Sequence, residues 1–417
     1  MIDPIPNSGQ KCRGSNDMLP EDMARFRHLE DIFRDNCLKS GYQEVKTPTL
    51  EYMHLFTSTG TLTSGKLDKV YSFLDWDGWS GERVVLRPDC TIPVARAYVE
   101  SKQGRSDPAK LFYTMNVFAF EGSGAESREK WQCGAEYIGG SSPLADTELV
   151  TIAMNVLHLL GLGGVRLKLS HVGVLRELLK GLAMGEEEER ETLDQLLDGS
   201  VEALGRIRER NGGLSKVISL LLDHRSASAG LLKNCRSMCG TGFAAVGKAL
   251  DGFVALAEML DSVGCPYEID MASARGFEYY TGVTFEMSCG GHRVCSGGRY
   301  DALVPLVGGG KVPASGFAVF LDKIAPLMQP GAGLQSPWKG VLIETSDTPA
   351  AVKASFDIAR VLRQAGFVAD VCPADERLNR WSWKLSVQPP EFTLTGPDGK
   401  QVRAGSAIEV LRIVGGK

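Results

Sequence analysis

Two short stretches decide how this chain is read: Arg275-Gly276-Phe277-Glu278-Tyr279-Tyr280-Thr281-Gly282 and Gly297-Gly298-Arg299-Tyr300-Asp301. Around them the residues carry strand patterning, at 267–271, 281–287, 292–296 and 316–321. Val307-Gly308-Gly309-Gly310-Lys311 interrupts the run and reads as a turn, because no Walker spacing precedes it. Working outward, residues 110–121 and 129–139 form a second pair of strands around a polar loop. Residues 71–75 and 83–87 form a hairpin across the Asp77-Gly78 region, and 42–48 reads as a strand entering a proline turn. Helices are expected over 21–40, where Met23, Phe26, Leu29, Ile32, Phe33 and Cys37 keep helical spacing up to Gly41, over 91–103 and over 146–160.

The character changes from about 166 to 265. Runs such as 172–182 and 243–263 are helical, and the acidic block Glu186 to Glu189 reads as a solvated helix start rather than a metal site. A linker follows the last core strand, Gln329-Pro330-Gly331-Ala332-Gly333 with Ser336-Pro337 close behind. Beyond it, 340–345 (strand), 349–365 (helix) and 367–371 (strand) make one β-α-β unit that opens a small α/β module. The expected division is therefore 1–328 and 338–417.

Composition sets limits on function. Hydrophobic residues make up 43% of the 417, enough for a sizeable core. The formal net charge of −5 argues against nucleic acid as the main partner, since polyanion binders carry a basic excess. The 10 cysteines are scattered, without the spacing of a zinc knuckle or a redox pair, and read as reduced thiols of a cytoplasmic protein. The six histidines, His171 and His292 among them, stand apart from other ligand types, so neither a metal nor a cofactor is expected. The most membrane-like stretch, 150–165, is broken by Asn155, His158 and glycines and is too short to span, so no membrane role is expected.

Four segments, in order, resemble signatures of class II aminoacyl-tRNA synthetases of the histidyl type. They are Arg13-Gly14-Ser15-Asn16-Asp17-Met18-Leu19-Pro20, Thr47-Pro48-Thr49-Leu50-Glu51, the stretch 118–139, and the 275–282 and 297–301 pair leading to Gly316-Phe317-Ala318. The resemblance covers roughly 10–325. It implies an α+β fold: a class II synthetase-like antiparallel sheet flanked by helices, with a helical insertion at about 166–265. The small C-terminal module then resembles a degenerate anticodon-binding domain. Its basic and acidic residues are nearly equal in number, so composition reveals no tRNA-binding face. Trp381 and Trp383 read as packing residues rather than base-stacking platforms.

A histidine pocket needs an anion for the ammonium, a cation for the carboxylate, and donor and acceptor groups for the imidazole. The resemblance assigns Asp89 and Thr91 to the ammonium with help from Gln132, Glu136 and Tyr280 to the ring, Tyr279 to the lining and Arg275 to the carboxylate. The nucleotide half departs from the pattern. Ala119 stands where the second-motif arginine belongs, Glu126 where a loop arginine belongs, and Asp322-Lys323 where the third motif ends in Glu-Arg, while Arg128 matches a retained arginine. Lysine keeps the charge but lacks the bidentate fork. Adenylation stabilises charge growing on the α-phosphate, so these changes point away from it.

The finer pattern is similar to the regulatory subunits of ATP phosphoribosyltransferase. Leu86-Arg87-Pro88-Asp89-Cys90-Thr91 has aspartate where histidyl synthetases carry glutamate, and Thr49-Leu50-Glu51-Tyr52 and Phe320-Leu321-Asp322-Lys323 agree. That resemblance implies a non-catalytic subunit. It would activate a short-form catalytic partner, relay feedback by histidine at the first step of histidine biosynthesis, and assemble as a homodimer core within a hetero-oligomer. Retained Arg275 is a departure from many members. The alternatives are a divergent active synthetase and a stand-alone histidine-binding accessory protein.

Overall fold

The computed structural model describes residues 11–62, 64–76, 81–102, 107–120, 127–182, 184–197, 200–209, 213–239, 243–271, 279–329, 340–373 and 381–416. The chain divides into two compact units, 1–332 and 333–417.

In the first unit, α1 (Pro20–Lys39) opens on a proline, where no backbone N–H is needed, and ends just before Gly41, whose φ of +83° is left-handed. Its buried residues Phe26, Leu29, Phe33 and Cys37 form one stripe. There follow β1 (Gln43–Glu44), β2 (Leu50–Tyr52), α2 (Met53–Ser58), β3 (Ser72–Trp76), β4 (Gly81–Leu86) and α3 (Thr91–Lys102). The strand expected over 42–48 shrinks to the two residues of β1. The expected hairpin is present in β3 and β4; its turn at Asp77-Gly78 lies outside the described residues.

Next come β5 (Ala109–Phe118), β6 (Glu129–Ile138), α4 (Pro143–Leu159) and β7 (Arg166–His171). The last of these corrects the edge of the expected helical insertion. Residues 166–171 alternate, burying Leu167 and Leu169, and a period of two places them in the sheet. The helices begin only at α5 (Val172–Lys180), capped by His171, whose Nδ1 accepts the Val174 N–H at 3.1 Å. They continue through α6 (Glu186–Leu197), α7 (Val201–Glu209), α8 (Gly213–Asp223), α9 (Gly230–Cys239) and α10 (Ala244–Ser262). The sheet resumes with β8 (Glu268–Ile269), β9 (Val283–Cys289) and β10 (His292–Arg299), then α11 (Leu303–Leu306), β11 (Ala314–Phe320) and α12 (Leu321–Ile324).

These strands form an eight-stranded sheet in the order β1-β5-β6-β11-β10-β9-β7-β8, antiparallel except where β1 and β8 join its edges. Register sorts its side chains by face. One face aligns Phe112, Ala135, Phe317, Gly297, Phe285 and Leu169. This face is the core: Phe33 of α1 meets Phe112 and Phe317 edge-on, with ring centroids 6.1 and 6.2 Å apart. The opposite face aligns Leu111, Glu136, Gly316, Gly298, Thr284 and Ser170 in one row, and Met115, Gln132 and Phe320 in another. A polar, glycine-interrupted face cannot be packed like the first; it is the floor of the site. Beside it stands a small sheet, β2-β4-β3, on which Leu50, Tyr52 and Phe73 share an exposed apolar face.

The second unit contains β12 (Gly340–Thr345), α13 (Pro349–Gln364), β13 (Val368–Pro373), β14 (Trp383–Gln388), β15 (Glu391–Thr395), β16 (Gln401–Ala404) and α14 (Ala407–Gly415). Its sheet order is β13-β12-β14-β15-β16. Val341, Ile343, Leu385, Val387 and Leu394 pack against Ile358 and Leu362 of α13 and Val410 and Val414 of α14. Thr348 and Ser406 cap the two helices. Trp383 packs against this core, and the Trp381 ring lies so close to Gly340 that a Cβ there would meet it at 2.7 Å. Residues 330–339, which include most of the expected linker, lie outside the described residues. No described helix is long and apolar enough to cross a membrane. No disulfide links the cysteines, and all but Cys12 and Cys265 are buried.

Candidate functional site

The site is held by the turn between β4 and α3. Arg87 is buried there, and its guanidinium donates to Thr47 O (2.8 Å), Pro48 O (3.0 Å), Asn116 O (2.7 Å) and Asn116 Oδ1 (2.8 Å). Two residues on, Asp89 Oδ1 accepts the Ile92 N–H at 2.8 Å and so caps α3. Its Oδ2 lies 3.5 Å from the Tyr279 hydroxyl. Burial pushes the Asp89 carboxyl up to about 6 against these stabilising bonds.

Glu136, 1% exposed, sits on β6 inside a cage of hydroxyls. Thr91 and Tyr113 donate to its Oε1 at 2.9 and 3.1 Å, and Tyr300 donates to Oε2. Burial nevertheless dominates and raises its carboxyl to about 8. The cage depends on glycine: a Cβ on Gly316 would fall 1.6 Å from Glu136 Oε2, and one on Gly134 would fall 2.3 Å from the Tyr113 ring and hydroxyl. The 297–301 stretch divides its work. Gly298 lets the Tyr280 ring approach the sheet, Arg299 pairs with Asp146 of α4 at 2.9 Å, Tyr300 reaches Glu136, and Asp301 accepts the Ala314 N–H at 3.0 Å.

Beside this cage opens a cavity of about 670 Å³, within the range usual for small-molecule sites. Of the residues assigned to the histidine pocket, Asp89, Gln132 and Tyr280 line it. Thr91, Glu136 and Tyr279 are not in the lining but are bonded or packed to one another and to it: Tyr279 and Tyr280 rings lie 5.2 Å apart. Arg275 lies outside the described residues. Asp89, when ionised, retains acceptor capacity, since a carboxylate offers about four lone-pair positions, whereas Glu136, raised to about 8, largely keeps its proton near neutral pH.

Three positions that depart from the synthetase pattern, 119, 322 and 323, open on the same cavity. Ala119, Asp322 and Lys323 do line it, but so do Lys69, Lys130 and Arg293. Arg293 sits 3.8 Å from Glu286 and over the Phe320 ring. The guanidinium missing at 119 has therefore not left the cavity without positive charge. Glu126 lies outside the described residues, and Arg128 lies over the Phe120 ring, its side chain against Gly14. His292 also lines the cavity. Loss of hydration holds half-buried His171 well below its ordinary value, at about 4. Among the described residues no group of three or more His, Cys, Asp or Glu is placed to hold a metal.

Sequence reading missed Tyr113, Tyr300, Gly316, Thr284, Lys69, Lys130 and Arg293 as site residues. Tyr300 stood inside a quoted motif without an assigned role. Strand alternation alone puts Tyr113 on one of two faces and does not say which.

The sheet, its glycine-lined polar face and the order of its motifs define a class II synthetase core of the histidyl type. A family model for histidyl-tRNA synthetase matches residues 14–324. An ATP phosphoribosyltransferase regulatory subunit of Dehalococcoides mccartyi is 44% identical over 378 residues, 91% of each chain. A histidine–tRNA ligase of Archaeoglobus fulgidus is 32% identical over 95% of this chain and 93% of its own. A Bacillus halodurans structure titled ATP phosphoribosyltransferase regulatory subunit/histidyl-tRNA synthetase superposes with a TM-score of 0.78 at 25% identity, covering 90% of this chain and 96% of that one. The chain belongs to the histidyl-tRNA synthetase family and, within it, to the ATP phosphoribosyltransferase regulatory subunits.

Proposed function

We propose that the chain is a non-catalytic, cytoplasmic subunit that activates a short-form ATP phosphoribosyltransferase catalytic subunit and transmits feedback by histidine held in the cavity. The observation that carries this reading is the contrast between the Asp89–Gln132–Tyr280 lining, backed by the Glu136 cage, and alanine at position 119. The names of the 44%-identical relatives support the role and the biosynthetic step. Asp89 would receive the ammonium through charge-assisted hydrogen bonds, and Glu136 with Tyr280 would address the ring. Feedback then follows from linkage: histidine binds one state of the heteromer more tightly and shifts the population toward it. The exposed apolar face of Leu50, Tyr52 and Phe73 suits a second copy of the chain, giving a homodimer core. The C-terminal unit is read as a worn anticodon-binding module without a nucleic-acid role.

The test mixes the purified chain with a short-form catalytic subunit and measures phosphoribosyl-ATP formation with and without histidine, then repeats it with Glu136→Ala. Activation and histidine inhibition are expected, with inhibition lost in the variant. Failure to activate sinks the regulatory role, and an unchanged histidine response moves sensing elsewhere. A second reading, a divergent active synthetase, draws on Arg293 and Lys323 in the cavity. It requires histidine-dependent ATP–pyrophosphate exchange at ordinary synthetase rates, and exchange at background level removes it.

A further inference from the structure

The row of the sheet that carries Glu136 continues across Gly316 and Gly298 to Thr284. At roughly 4.8 Å per strand, the two side chains stand about 14 Å apart at the sheet, with two residues lacking side chains between them. Neighbouring side chains fill that strip, and the cavity opens beside it. Glu136 leans over Gly316 from one end, and the Tyr280 ring covers Gly298 near the other, where a Cβ would meet it at 3.0 Å.

Thr284 stands at the far end of the row, and of the buried side-chain polar atoms without a hydrogen-bond partner among the described residues its hydroxyl belongs to the one residue that lines the cavity. The residue is 6% exposed and lines the cavity, yet Oγ1 has no hydrogen-bond partner among the described residues. The neighbouring strand shows the ordinary solution, since Ser170 in the same row donates to Met271 O at 3.1 Å. A buried hydroxyl left unpaired is a standing cost to the fold, whereas valine has almost the same shape and no such cost. A hydroxyl at this position is therefore matched to something that enters the cavity.

We infer that Thr284 is a further ligand-contacting residue, whose hydroxyl meets a polar ring atom of the bound amino acid beside Tyr280 in the cavity and so selects a heteroaromatic side chain with polar nitrogens over an apolar ring of equal size. The inference rests on the reading that the cavity holds histidine, and it adds a discriminating contact outside the inherited set. A site built to bond a polar atom rejects the analogue lacking it because its own group is then stranded. An apolar wall at 284 lacks that penalty.

The experiment is calorimetric titration of the full chain with L-histidine and with 3-(2-thienyl)-L-alanine, whose ring has no nitrogen. Wild type, Thr284→Val and Thr284→Ser are compared. For Thr284→Val, histidine affinity is expected to fall about tenfold, equivalent to about 1.4 kcal/mol, with thienylalanine unchanged or tighter. Thr284→Ser, which keeps the hydroxyl, should retain most of the preference. Unliganded Thr284→Val should melt no lower than wild type, since it loses no internal bond. Wild type and Thr284→Val binding both probes alike, while wild type binds histidine, overturns the contact and leaves the histidine reading standing. A wild-type chain that binds no histidine overturns both.

Discussion

The two ends of the cavity are built on different principles. At the Glu136 end the polar groups are bonded to one another: three hydroxyls converge on one carboxyl, Asp89 caps a helix and meets Tyr279, and glycines at 134 and 316 leave room for nothing larger. At the Lys323 end the charges stand on separate elements, Lys69, Lys130, Arg293 and Asp322–Lys323, with alanine where the second motif calls for arginine. A fully satisfied buried network is rigid and intolerant, because each member leaves a stranded partner when removed. Dispersed rim charges sit in high dielectric and tolerate exchange. The first end has the fixed geometry that the proposed histidine recognition requires; the second holds charge on separate elements.

The difference can be broken by mutation. Glu136→Ala strands the Thr91, Tyr113 and Tyr300 hydroxyls, and a loss of histidine affinity of about a hundredfold or more is expected from calorimetry. Affinity within threefold of wild type would place the ligand away from the cage. Asp89→Asn keeps a capping oxygen for α3 but removes the charge that attracts an ammonium. Affinity should fall about 10- to 100-fold with little change in melting temperature.

Protonation sharpens the comparison further. In the folded chain the Glu136 carboxyl is raised to about 8 from an ordinary 4.5, so the folded state binds that proton more tightly than the unfolded state does. The resulting stability is complete below about pH 4.5 and is lost as pH rises toward 8. Chemical denaturation of the unliganded chain should therefore show stability declining across this window, by up to about 1.4 kcal/mol per pH unit. Glu136→Gln should flatten the decline, and an equal slope in wild type and variant would show that another group carries the proton. Smallest of all, Lys323→Ala should leave histidine affinity within about twofold, since it removes a dispersed charge. A tenfold loss would mean that the two ends act as one site.

Much of this was legible in the sequence, and the failures have physical causes. Phe26, Leu29, Phe33 and Cys37 announced α1 because a helix with one buried stripe repeats every three or four residues. Residues 166–171 were absorbed into the helical insertion because a six-residue strand beside long helical runs has too few periods to stand out, although Leu167 and Leu169 alternate. Asp89, Gln132 and Tyr280 were found because short motifs carry them in order. Tyr113 and Thr284 were not, because their roles depend on strand register, which pairs β5 with β6 and β9 with β10 and is not written in either segment alone. Arg293 was missed for a related reason: the motif led to a vacancy at 119, and only the folded sheet brings a guanidinium from another strand to the same cavity.

Arg87 links two surfaces that otherwise look unrelated. Its guanidinium clasps the chain just before β2 and the middle of β5, while its backbone runs from β4 directly into the turn that aims Asp89. The exposed apolar sheet and the ligand carboxylate thus share one pivot, fastened by neutral oxygens on both sides. On the proposed function, a second copy seated on Leu50, Tyr52 or Phe73 would load that pivot, and histidine drawing on Asp89 would load it as well. Assembly and occupancy, as proposed, would then meet at one side chain, Arg87, whose guanidinium is bonded to both stretches.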